Sequence, residues 1–224
     1  SVPDAVLSAG IPNDQFGFCV ASAGDVNRDG MGDIIVGVPY NDQNGADAGK
    51  AWLYTNTRNR TPLPIASFSG PGGFDYFGLK CSDAGDLNGD GYGDVMANSI
   101  NYEQVYVYFG GQSLANSAGL IIYAPNGPES FSNSISSAGD LNSDGYDDII
   151  IGAEGGNSAT GRAYIYFGSA SMDNIPDLIL SGFTPNNYFG SAVASAGDVN
   201  GDSYDDVIVG ARGVGAAYIF YGGA

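Results

Sequence analysis

The sequence predicts an all-β fold, a β-propeller built from four four-stranded blades, and three observations lead to it. A Gly-Asp-(Val/Leu)-Asn motif opens at Gly24, Gly85, Gly139 and Gly197, so its first aspartates lie 61, 54 and 58 positions apart. The 224 residues include 36 Gly, 15 Tyr and 11 Phe, a composition of tight turns and aromatic strands. The apolar runs between the motifs are short, β-branched or alternating, and none has a helical period.

The repeats fall at about 1–60, 61–115, 116–172 and 173–224, so the whole chain, 1–224, reads as one repeat domain. Each unit keeps one internal order. A short apolar segment comes first: Ala5–Ser8, Ile65–Phe68, Leu120–Tyr123 and Leu178–Ser181. Phe16-Gly17, Phe77-Gly78, Phe131-Ser132 and Phe189-Gly190 follow, each leading into a small-residue strand. An acidic loop comes next, then a β-branched run such as Ile34–Val36 or Ile149–Ile151, and finally an aromatic alternation such as Tyr164-Ile165-Tyr166. A generic sandwich has no reason to repeat one loop four times.

The loops carry the chemistry. Oxygen side chains stand at loop positions one, three, five and nine: Asp25, Asn27, Asp29 and Asp33; Asp86, Asn88, Asp90 and Asp94; Asp140, Asn142, Asp144 and Asp148; Asp198, Asn200, Asp202 and Asp206. Alternate residues of a curled loop can aim their oxygens at one centre, as Ca2+ requires, and the position-seven carbonyls of Met31, Tyr92, Tyr146 and Tyr204 can complete the shell. Position six needs a sharp turn and holds Gly30, Gly91 and Gly145, but Ser203 in the fourth loop, which is therefore expected to be the weakest site. The expected cofactor is Ca2+, up to four ions, one per repeat. Mg2+ suits the loop less well because it demands a stricter octahedron.

Charge supports this reading. Acidic residues number 25 against 7 basic, for a net charge of −18, and only Glu103, Glu129 and Glu154 are Glu. A merely solvated acidic surface would scatter Asp and Glu together, whereas here Asp recurs at fixed spacing. So negative a chain repels phosphates, which excludes nucleic acid and anionic membranes as partners. No stretch approaches the ~20 apolar residues of a membrane helix. The N-terminus shows no basic segment followed by an apolar run, so an export signal, if there is one, has been removed or lies outside this sequence. The chain has no His, which removes the commonest general base and its nucleophile pairs, so the chain is expected not to be an enzyme. The acidic pairs Asp147-Asp148 and Asp205-Asp206 each have one member inside a loop.

Trp52, Tyr54, Tyr106, Tyr108, Tyr164 and Tyr166 read as blade packing, and Tyr40, Tyr76, Tyr102 and Tyr188 as exposed contacts. Asn59-Arg60-Thr61 is an N-glycosylation sequon. Cys19 and Cys81 are too few for a disulfide scaffold. Alignment sets Cys81 level with Val20, Ile135 and Val193, in a core-like column. Cys19, one position off, should face the other side of its strand, so two separate free thiols are expected.

These motifs resemble the FG-GAP repeats of integrin α-subunit propellers. The resemblance rests on the Phe-Gly steps, the four loops, and Gly37-Val38-Pro39 where the family has Gly-Ala-Pro. Ala97-Asn98-Ser99, Gly152-Ala153-Glu154, Gly210-Ala211-Arg212 and Phe131-Ser132 depart from the pattern. The resemblance implies a secreted or cell-surface module for adhesion or recognition of a protein or glycan ligand on a cell or matrix, with calcium in a structural role. Family propellers have seven blades, and here there are four repeats. It also implies that the segment before each Phe-Gly completes the preceding blade. The N-terminal strand, Ala5–Ser8, would then complete the last blade, in cis or in a neighbouring molecule. The second arrangement gives an alternative function, a structural subunit of a surface filament assembled by strand donation. A carbohydrate-binding lectin is a further alternative.

Overall fold

The computed structural model describes residues 3–8, 11–55 and 62–224. The sequon at Asn59 lies outside them. Among the described residues fifteen strands, all paired antiparallel, make four sheets. The first holds β1 (Cys19–Ser22), β2 (Ile34–Val38), β3 (Lys50–Thr55) and β4 (Leu63–Ser69) in that order. The second holds β5 (Cys81–Gly85), β6 (Asp94–Ser99), β7 (Gln104–Tyr108) and β8 (Leu120–Tyr123). The third runs β9 (Phe131–Gly139), β10 (Asp148–Ala153), β11 (Arg162–Tyr166) and β12 (Leu178–Ser181). The fourth has β13 (Phe189–Gly197), β14 (Asp206–Ala211) and β15 (Ala216–Phe220).

Each sheet is a meander, so its strands form where the sequence alternates and turn where Gly, Asn and Asp cluster. The second strand of each sheet is the most buried, and β6 and β10 are buried along their whole length. Strands buried on both faces read as continuous β-branched runs, and Ile149–Ile151 is such a run. The fourth strand of each of the first three sheets comes from the stretch that precedes the next Phe-Gly step, as the resemblance implies. In the fourth sheet three strands are described, and residues 3–8, which include the expected N-terminal strand Ala5–Ser8, form no strand.

The sheets are blade-like and stack in series, with an apolar core at each junction. Ile35, Leu53 and Phe68 meet Phe77, Val95 and Tyr108 at the first junction, where the rings of Phe68 and Tyr108 stack at 3.7 Å. Val107 and Ile122 meet Phe131, Ile149 and Tyr164 at the second. Ile150 and Ile165 meet Phe189, Val207 and Val209 at the third. Burying one Phe or Ile at such a junction is worth about 1.5–3 kcal/mol. The two end faces stay open: Val20 is 66% exposed on the first sheet and Ile219 49% on the last.

The Phe-Gly step has a backbone reason. Phe77 is fully buried between two residues of left-handed conformation, Tyr76 at φ 55° and Gly78 at φ 78°. A Cβ on Gly37 would lie 2.0 Å from the Gly78 carbonyl oxygen, so the Gly-Val-Pro glycine of one unit packs directly on the Phe-Gly glycine of the next. Gly152 meets Gly190 in the same way, at 2.1 Å. Strand register places Asn98, not Ala97, at the position of Gly37: Cys19 pairs with Gly37, and the equivalent Lys80 carbonyl accepts the Asn98 N–H. Asn98 Nδ2 donates to the Ser132 carbonyl at 3.0 Å. The two departures from the pattern are therefore one exchanged contact, with Asn98 and Ser132 replacing a pair of glycines. Ser132 keeps the left-handed φ, 68°.

The cysteines are both free but not separate. The Cys81 N–H donates to Cys19 Sγ at 2.9 Å, and the Cys19 thiol to the Cys81 carbonyl at 3.3 Å. Residues on opposite faces of equivalent strands look away from each other only within one sheet. Across a junction of stacked sheets they look at each other.

Candidate metal centres

Connectivity puts all four acidic loops at one end of the sheets, between the first and second strands, and the Phe-Gly steps at the other. Each loop curls by the same bonds. The Asp25 carboxylate accepts the N–H groups of Asp29 and Gly30 at 3.0 and 2.8 Å, Asn27 Oδ1 accepts the Asp29 N–H as well, and Asp29 Oδ1 accepts that of Met31. Asp86, Asn88 and Asp90 repeat this set, as do Asp140, Asn142 and Asp144, and Asp198, Asn200 and Asp202. Positions one, three and five are thus gathered around one turn in every repeat.

Left-handed residues make that turn possible. Position six has positive φ at Gly30, Gly91 and Gly145, and Ser203 is held there at 76°. Position four is left-handed too, at Arg28, Gly89, Ser143 and Gly201, a second requirement the sequence hides because three different residue types satisfy it.

Position nine behaves differently. Asp94, Asp148 and Asp206 are fully buried. Each accepts the position-two N–H through one oxygen (Leu87, Leu141 and Val199) and, through the other, the N–H of a glycine beyond the third strand (Gly110, Gly168 and Gly222). Asp33 accepts the Val26 N–H in the same manner. The ninth residue therefore pins the base of its loop to its own sheet. Burial, with smaller contributions from the position-one and position-five carboxylates, pushes Asp94 and Asp148 up to about 7.

Among the described residues no three acidic side chains close on a common centre. The donor set nevertheless fits a hard divalent cation. It is all oxygen, it is gathered by the curl, and a carboxylate oxygen that accepts one N–H keeps a further lone pair. Asp25, Asn27 and Asp29, with their counterparts in the other three loops, would be the side chains to hold it. The position-seven residues Met31, Tyr92, Tyr146 and Tyr204 lie at the right place to offer their carbonyls.

The loops are also tied to one another. Asp147, at position eight of the third loop, accepts the Asp86 N–H at 2.7 Å and donates its own N–H to the Asp86 carbonyl. Asp205 does both to Asp140, with the carboxylate bond at 2.9 Å. In the second loop Gly93 stands at this position, and only its N–H reaches Asp25. Arg28 spans that gap from the other side, over the Tyr92 ring. The acidic pairs noted in the sequence are thus a brace plus a clip to the preceding loop.

At the opposite end a buried polar column escaped the sequence reading. Asp14, Asp75, Glu129 and Asn187 each lie two residues before the Phe of the Phe-Gly step, and all are buried. Asp14 accepts from Asn41 Nδ2, and Asp75 from the Ser99 hydroxyl at 2.7 Å. Glu129 pairs with Arg162 at 2.6 Å and accepts from the Tyr164 hydroxyl. Burial pushes Asp75 up to about 6. No residue type is constant here, which is why alignment by eye passes over it. Of the four tyrosines expected to be exposed, Tyr102 is. Tyr40 and Tyr76 pack on each other, and Tyr188 lies beneath the Arg212 guanidinium.

The FG-GAP repeat family model matches residues 20–54, 131–166 and 189–220. Three of its four units thus match FG-GAP repeats. The second unit, which carries Asn98 and precedes Ser132, falls outside the three matched segments. Among curated proteins the chain is similar to integrin alpha-6 of Gallus gallus, 32% identical over 148 residues, and to integrin alpha-7 of Mus musculus, 29% identical over 176 residues. These matches cover 62% and 72% of the chain but only 13% and 14% of the integrins. Integrin alpha-6 of Homo sapiens is 32% identical over 146 residues. No helix among the described residues is long and apolar enough to cross a membrane.

Proposed function

We propose that this chain is a non-catalytic, calcium-binding propeller module that works outside the cell, secreted or at its surface, in adhesion or in recognition of a protein or glycan ligand. The observation that carries it is the row of four equivalent oxygen-lined loops at one end of the sheets, the last three tied by an aspartate clip at each junction between them. The likeness to integrin alpha subunits supports the extracellular setting. A bound Ca2+ supplies positive charge that offsets three carboxylates per loop, and four such ions would bring the formal charge from −18 to −10. The chain's own residues then do the positioning: position one organises the curl, position nine anchors it, and positions four and six turn it. Calorimetric titration of the chelated protein is the test. The expected result is uptake of up to four Ca2+ per chain and a rise in melting temperature with added Ca2+. No uptake, together with melting indifferent to Ca2+, overturns the reading.

A second reading, assembly of copies by strand donation, has one specific observation in its favour. β15 is the edge of a three-stranded sheet beside an apolar hollow of about 450 Å³ lined by Leu178, Leu180, Val207 and Phe220. Strand addition to such an edge gives backbone hydrogen bonds and side-chain burial together. Light scattering of the Ca2+-loaded protein decides: polymers support donation between copies, and monomers rule it out.

A further inference from the structure

We propose that Cys19 and Cys81 form a disulfide that staples the first sheet to the second. They come from the first strands of adjacent sheets, 62 residues apart in the chain. Cys19 Sγ lies 2.9 Å from the Cys81 amide nitrogen and 3.3 Å from its carbonyl oxygen, so its sulfur rests against the Cys81 main chain with the Cys81 thiol beside it. The space for it exists because Gly37, the cross-strand partner of Cys19, has no side chain: a Cβ there would stand 3.1 Å from Cys19 Cβ. The junction also has a use for a covalent tie. The later two junctions are clipped by Asp147 and Asp205, whereas the first has Gly93 in that place.

The two thiols differ in the way a two-step exchange needs. Cys19 is half-buried and Cys81 buried. The Cys81 thiol beside it, with a smaller contribution from the Lys80 charge, brings the Cys19 thiol down to about 7 despite its burial, and Cys19 in turn, together with burial, pushes Cys81 far up. Cys19 is thus the attacking thiolate. With a small-molecule disulfide such as oxidised glutathione, it attacks one sulfur and expels a glutathione thiolate. Cys81 then loses its proton, attacks the Cys19 sulfur of the mixed disulfide, and releases the second glutathione. Two protein thiols are oxidised and one glutathione disulfide is reduced to two thiols.

The test is incubation of the full chain with a graded glutathione redox buffer, followed by intact-mass and peptide mass spectrometry and melting. The expected product is a monomer lighter by two hydrogens, with the Cys19 and Cys81 peptides joined, that melts ~5–10 °C higher than the reduced protein. Cys81→Ser should stop at a stable glutathione adduct on Cys19, and Cys19→Ser should leave Cys81 unmodified. Melting of both variants under reducing conditions separates a folding defect from a loss of the tie. Wild-type protein that stops at the Cys19 adduct, stays fully reduced in oxidised glutathione, or links only between chains overturns the proposal.

Discussion

The first junction and the two that follow bury the same kinds of side chain, yet they are laced differently. At the second and third, a carboxylate from one loop (Asp147 or Asp205) grips the backbone of the preceding loop from both sides. At the first, Gly93 leaves a single N–H to do this, and the Arg28 side chain and the Cys19–Cys81 pair add polar contacts of their own. The other end of the sheets shows the same divergence. Asp75 meets a serine at the first junction, whereas Glu129 meets an arginine at the second. A repeat can therefore hold its backbone constant while each junction finds its own polar solution.

Five changes would break or sharpen this comparison. Gly152→Ala should have the largest effect, because the new Cβ meets the Gly190 carbonyl at 2.1 Å and the third junction must open. A loss of about 3 kcal/mol or more is expected in urea unfolding. Asp75→Asn comes next and is a matter of pH. An acid whose value is raised on folding holds its proton more tightly in the folded state. Its stabilisation is therefore complete below about 3.8 and is lost as pH rises through about 6. Wild-type stability should thus fall across that window by on the order of 2–3 kcal/mol from this site, and Asp75→Asn should flatten the slope when melting is followed against pH.

Asp147→Ala removes a charge-assisted bond to a backbone N–H and should cost about 1–2 kcal/mol. Gly93→Asp, the reverse experiment at the first junction, should recover about 1 kcal/mol if the first loop gives by a few tenths of an ångström, because the added Cβ stands a tight 3.1 Å from the Asp25 nitrogen. Denaturant midpoints of the pair read the clip directly. The smallest effect belongs to Ser203→Gly in the fourth loop. Ser203 is held at φ 76°, and releasing it should stabilise the protein by about 1 kcal/mol. The same substitution should tighten the fourth site relative to the other three in a Ca2+ titration.

The fold was legible in the sequence because strand and turn signals are local. Ile149–Ile151 and Tyr164-Ile165-Tyr166 declare their strands without reference to anything distant, and the offset of β4, β8 and β12 into the preceding sheet follows from their place before each Phe-Gly step. The loops were legible for the same reason: positions one, three, five and six sit within one turn. What the sequence hid depends on contact between sheets. Asp147 and Asp205 read as halves of acidic pairs, because nothing local says that one points across a junction. Cys19 and Cys81 sit in different alignment columns, and alternation within a strand cannot tell which columns face each other once sheets stack. Asn98 and Ser132, two separate departures in the sequence, became one compensated contact only through strand register. The left-handed requirement at position four was invisible because Arg28 and Ser143 meet it without being glycine.

The borrowing of a last strand from the stretch that begins the next unit sets how such a chain comes apart. Cutting at the repeat boundary near residue 61 strips β4 from the sheet it finishes and exposes the inner half of Phe68's pocket, whereas cutting just after Ser69 releases a sheet with all its strands. The heritable unit and the detachable unit are thus out of phase by one strand. Proteases, and any recombination that shuffles such modules, meet a molecule whose natural seams are not where its repeats begin.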